Sequence, residues 1–223
     1  MEALILYFVL FFPGVYTSAF TVVESIQFSI FRELARTITY SIPALALVLY
    51  LSREKKGVNG LLMLKDPPEP LSLKPGKKDF ISFGICFPGL IIISFFVSFL
   101  AWAFSFFFGF PPPPRIEGPS NLIGYLVLII SCLGTGYLEE TYFRYYLLTK
   151  LKKSIPNTHV RIAFSTLLFS LCHVYAGPWG FLNAVLAGIF LSAIFVRSKS
   201  LHGISFAHAA YNYFVYIMSN FVF

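Results

Sequence analysis

Charge is what this chain has least of. Only 12% of its 223 residues are Asp, Glu, Lys or Arg, whereas a soluble globular domain carries about 25%. That scarcity excludes an ordinary water-soluble domain. Acid is the scarcer sign, with 10 Asp and Glu against 17 Lys and Arg. Cysteine is nearly absent too. Cys86, Cys132 and Cys172 sit in apolar stretches with no metal-type spacing, so they read as small buried hydrophobes rather than a disulfide framework. No H-E-x-x-H occurs, which removes the commonest zinc-protease helix. The first apolar run follows Met1-Glu2 without a basic leader or a small-residue cleavage site, and it reads as a retained span.

What the chain has instead is apolar bulk. It is 57% hydrophobic, with 27 Phe and 13 Tyr, and its mean hydropathy is +0.75. These values predict an all-α, polytopic helix bundle in a membrane, folded as one domain over 1–223. Apolar stretches near the length of a membrane helix run over roughly 3–23, 34–51, 80–110, 120–148, 160–175, 180–196 and 203–222, about seven in all. The second, fifth and sixth are short. "PPPPRIEGPS" (111–120) cannot be helical and is expected as a loop. Residues 24–36 mix charge with apolar residues at helical spacing, which fits either a helix lying flat at the interface or a polar helix end.

The net charge of +7 is best assigned to loops held against a membrane face, not to nucleic acid. Basic residues cluster at 52–79, 150–161 and 197–202. Two spans separate each cluster from the next, so all three fall on one side, which the excess of Lys and Arg marks as cytoplasmic.

Against this background "GYLEETYFRYY" (136–146) is anomalous, because a carboxylate at mid-membrane costs at least about 2.5–3.5 kcal/mol. Arg144 follows Glu140 by four residues, about 40° apart on a helical wheel, so these two can pair. Glu139 lies about 140° from Arg144 and lacks that counter-ion. Glu140 therefore reads as structural and Glu139 as free to handle a proton. Two further spans carry polar groups: His173 closes "FSLCH", and His208 and Asn212 share a helical face in "HAAYN". Glu139, His173 and His208 lie 9–12 residues from the flanking cytoplasmic cations, which puts all three at a similar depth of roughly 13–18 Å. Ser205 and Cys172 are poor nucleophile candidates. No acid is placed to orient His208 toward Ser205, and Cys172 points about 100° away from His173.

Glu139-Glu140-x-x-x-Arg144, Phe169-x-x-x-His173 and His208-x-x-x-Asn212 resemble, in order, the three motifs of the CPBP family of intramembrane proteases. That family includes type II CAAX prenyl endopeptidases and Abi-like, bacteriocin-processing or immunity-associated relatives. The resemblance covers about 120–215. It implies that Glu139 is the base and His173 its partner on a water, that His208 and Asn212 form the oxyanion hole, and that Glu140, Arg144 and Phe169 support them. It further implies a metal-free glutamate mechanism. The alternative is a zinc site of Glu139, His173 and His208. The expected partners are the lipid bilayer and a peptide or protein substrate, prenylated in the CAAX case. The expected location is the inner membrane of a prokaryote or the endoplasmic reticulum of a eukaryote. The rival functions are a catalytically inactive membrane scaffold or immunity protein, and a proton-coupled transporter, for which no internal repeat is visible.

Overall fold

Helix-stop chemistry divides the apolar runs into eight helices among the described residues of this computed structural model, which are 2–19, 25–52 and 75–222. They are α1 (Glu2–Leu10), α2 (Phe12–Ala19), α3 (Ile30–Ser52), α4 (Lys77–Phe108), α5 (Leu122–Lys150), α6 (Thr158–Leu171), α7 (Val174–Ser198) and α8 (Leu201–Val222). Side-chain caps set several starts. Ser29 accepts from the Arg32 amide, Asn121 from Gly124 and Asn157 from His159 and Val160, each satisfying amides that the first turn leaves without partners. Gly109, at φ 68°, ends α4 in the left-handed conformation that an L side chain resists.

Four helices, α3, α4, α5 and α7, are long and apolar enough to cross a membrane, and α6 is a shorter apolar helix. The chain is therefore an all-α membrane bundle. The expected span 3–23 is not one helix in its described part: α1 and α2 meet at a turn on Phe11, just before Pro13. Residues 20–24 of that run lie outside the described residues, as do Arg53 to Lys74 of the first basic loop. The charged stretch at 30–36 is the polar start of α3, not a separate interfacial helix. The proline-rich segment is non-helical as expected, yet Arg115–Glu117 forms a short strand, β2. It pairs in parallel with β1 (Ser25–Gln27), Ile26 opposite Ile116.

The core has two main parts, both touching α5. Tyr7 and Phe11 from the α1–α2 region, Val48 of α3 and Phe169 of α6 pack on Tyr142, Phe143 and Tyr146. Cys86 and Leu90 of α4, Leu191 of α7 and Ile204 of α8 pack with Tyr145 and Leu148. Phe28 packs with the Leu128 end of α5 and the Tyr213–Tyr216 end of α8, so those two helices run antiparallel. The Leu148 end of α5 thus shares one end of the bundle with Leu201. Lys78 reaches the same end, donating from Nζ to the Lys199 carbonyl at 3.3 Å. The described parts of all three basic segments therefore converge there.

Candidate active site

The site begins where α5 changes its winding. Residues Thr141–Leu147 form a π-helical turn whose seven side chains are all buried. Such wide turns recur at functional sites because they re-aim neighbouring side chains without ending the helix. Glu140 is the last residue before this turn and Arg144 lies within it. Both side chains are fully buried, with Arg144 Nη1 3.1 Å from Glu140 Oε1. The pairing expected from the sequence is present.

Glu140 does more than balance Arg144. Its Oε1 lies 2.8 Å from His208 Nδ1 on α8. A carboxylate accepts, so Nδ1 carries the proton and the ring is held by that bond. Close approach of the two helices permits it: a Cβ on Gly136 would lie 2.9 Å from the Ser205 carbonyl oxygen and 3.0 Å from the Ala209 amide. The other imidazole nitrogen, Nε2, lies 3.7 Å from Glu139 Oε2. That distance is too long for a hydrogen bond, so both atoms keep capacity for a third group. Glu139 Oε2 is buried and has no hydrogen-bond partner among the described residues, as are Glu140 Oε2, Thr141 Oγ1 and Nε and Nη2 of Arg144.

Phe169 forms the floor. Its ring lies 4.2 Å under the Arg144 guanidinium carbon, a cation–π distance. The same ring meets His173 at 4.6 Å and His208 at 6.0 Å between centroids. His173 stands just past the end of α6, and its Nδ1 donates to the Phe169 carbonyl at 3.0 Å, since a carbonyl can only accept. Neutral His173 then offers Nε2 as an unprotonated base. Tyr175 flanks the other side of His173, with ring centroids 6.1 Å apart. Its sequence position carries no signal for that contact.

Glu139, Glu140, Arg144, Phe169, His173 and His208 are thus linked through one network. Asn212 stands half-buried on α8 one turn beyond His208. Cys172 faces α1, with Sγ 3.4 Å from the Leu168 carbonyl and 3.9 Å from Tyr7 Oη. Contrary to the expectation from the sequence, an acid does orient His208, since Glu140 binds its Nδ1; Ser205 is fully buried. Helix α1 is pinned beside the site by Tyr142 and Tyr7, which donate to the Ala3 and Leu168 carbonyls at 2.6 and 3.1 Å. Among the described residues no three His, Cys, Asp or Glu side chains are grouped to hold a metal ion. The alternative zinc set of Glu139, His173 and His208 keeps His208 Nε2 open, since Nδ1 is the ring nitrogen bonded to Glu140.

The sequence model of the family described as type II CAAX prenyl endopeptidase Rce1-like matches residues 120–214. No curated protein and no solved structure matches the chain. The matched segment opens just before α5 and closes within α8, so it spans every residue of the network just described. Residues 120–214, the motif-bearing part of the chain and 95 of its 223 residues, are similar to the type II CAAX prenyl endopeptidases, which supports a CPBP/CAAX intramembrane protease reading.

Proposed function

We propose that this chain is an intramembrane endopeptidase that hydrolyses a peptide bond near the membrane through a glutamate-activated water. The observation that carries the reading is the pair of facing atoms, Glu139 Oε2 and His208 Nε2, 3.7 Å apart. One is a buried carboxylate oxygen with no protein donor; the other sits on a ring locked in place by Glu140. Glu139 takes a proton from water, assisted by Nε2 of His173, the resulting hydroxide attacks the scissile carbonyl, and the tetrahedral intermediate collapses with cleavage of the C–N bond as Glu139 returns the proton to the leaving amine. His208 and Asn212 then face the oxyanion. With Nδ1 protonated, His208 donates from Nε2 only as the imidazolium, and Glu139 and Glu140 on either side are the counter-charges for that form. Each oxyanion donor is worth about 3–4 kcal/mol in the transition state.

The basic end of the bundle is assigned to the cytoplasmic face, from which the substrate peptide enters. A prenylated CAAX tail is the first substrate to test, because its lipid stays in the bilayer while its peptide reaches the site. Purified protein is incubated with a farnesylated CAAX peptide, with and without chelator, and products are read by mass spectrometry. Cleavage that persists in chelator supports the proposal. Cleavage abolished by chelator and restored by one equivalent of Zn²⁺ per chain would replace the mechanism. No cleavage of this peptide or of unprenylated membrane-protein tails would sink the peptidase reading.

A further inference from the structure

The described residues leave a groove along the face of α8 opposite His208. Gly203, Phe206, Ala210 and Tyr213 lie about 140–220° around the helix from His208 at 100° per residue, and all four line a groove of about 620 Å³. The flanks come from Phe80 and Phe83 of α4 and from Ile129, Cys132 and Leu133 of α5. From Gly203 to Tyr213 the groove runs about 15 Å along the helix axis. Its lining is almost wholly hydrocarbon and aromatic. The small Ala210 leaves it room, whereas Gly203 serves close packing on α4, since a Cβ there would run into the Asp79 carbonyl oxygen.

One end of the groove is different. Pro75 and Asp79 form its mouth at the basic end of the bundle. The two lysines between them, Lys77 and Lys78, are exposed, as are Arg197 and Lys199. Lys78 spans to the start of α8 through the Lys199 carbonyl, and Lys199 Nζ lies 5.6 Å from the Phe195 ring centroid. The Asp79 carboxylate at the mouth is occupied. Asp79 Oδ1 accepts from Ser200 Oγ at 2.6 Å and from the Gly203 amide at 3.3 Å, and Oδ2 accepts from the Gly76 amide at 2.8 Å. Exposed lysines therefore stand near this end of the apolar slot.

We propose that this groove is a binding site for one anionic glycerophospholipid, its acyl chain lying along α8 and its phosphate held by Lys77, Lys78 and Lys199. The charge and the apolar slot match the two halves of such a molecule, and the bilayer supplies it directly. Its position behind α8 separates it from Glu139 and His208, and it stands whether or not the chain is a peptidase. Bound lipid braces the helix that carries His208 and Asn212 against α4 and α5.

The test uses the full chain purified in detergent, titrated with dioleoyl phosphatidylglycerol or dioleoyl phosphatidylcholine and followed by native mass spectrometry and thermal unfolding. Phosphatidylglycerol is expected to bind about tenfold more tightly, in line with the attraction of anionic lipid for each nearby Lys, and to raise Tm. Replacing Lys77, Lys78 and Lys199 together with Gln should erase the preference while leaving weak binding of both lipids. Ala210→Trp should block both, with Ala210→Leu as the milder variant if the first does not fold. Equal affinity for the two lipids, or a preference that survives the Gln substitutions, would overturn the proposal. So would displacement of phosphatidylglycerol by a farnesylated peptide, which would assign the groove to substrate, or a dimer cross-linked through Ala210→Cys.

Discussion

His208 is held by Glu140, not by Glu139: Nδ1 to Oε1 is 2.8 Å, a bond between α8 and the last residue before the π turn of α5. The second glutamate thus acts on the site through the histidine, while its neighbour keeps an open oxygen. Their substitutions should separate accordingly. Glu139→Gln should abolish turnover with Tm close to that of the parent. Glu140→Gln should lower stability by about 3–5 kcal/mol, because Arg144 is left as an unpaired buried charge. Thermal melts and peptide cleavage on both variants read this out. A Glu139→Gln enzyme that still turns over, beside a stable and inactive Glu140→Gln, would reverse the roles.

Phe169 supports Arg144 from below at 4.2 Å and touches both histidine rings. Phe169→Leu keeps most of the apolar volume but removes the aromatic face. The lost cation–π contact should cost about 2 kcal/mol at this desolvated position. Turnover should fall more than substrate affinity, since the histidines lose their shelf. Unchanged melting and unchanged kcat would show that the stacking is incidental.

Asn212 stands one turn from His208 on the same helical face. Asn212→Ala should reduce kcat by roughly 10²–10³, the range for one oxyanion donor. KM should hardly move, because the bond forms mainly in the transition state. A variant that raises KM and spares kcat would place Asn212 in substrate binding instead.

The basic segments give a topology test. In a background with Cys86, Cys132 and Cys172 replaced by Ala, single cysteines at Lys55, Lys152 and Lys199 should react with an impermeant maleimide from one common side of sealed vesicles, the cytoplasmic one. Labelling of any two from opposite sides would break the arrangement in which the described ends of these segments converge.

Local pattern was enough for the all-α membrane class, because apolar length and scarce charge are properties of the chain itself. It was enough for the Glu140–Arg144 pair as well, since four residues on one helix bring two side chains together wherever the helix sits. The break at Phe11 and the strand inside the proline-rich loop were harder to read. A hydropathy run does not record where backbone hydrogen bonds are interrupted, and β2 exists only because β1, far away in sequence, pairs with it.

The amino-acid sequence alone determined which polar groups this protein puts into an apolar environment and in what order. Only the tertiary structure decided what each one touches. His208 meets Glu140 because Gly136 lets α5 and α8 approach closely, and Phe169 lies under Arg144 because α6 packs on the π turn. These contacts join helices distant in sequence, and no helical period encodes them. They follow from how volume is filled between helices, which is a property of the folded bundle rather than of any one segment.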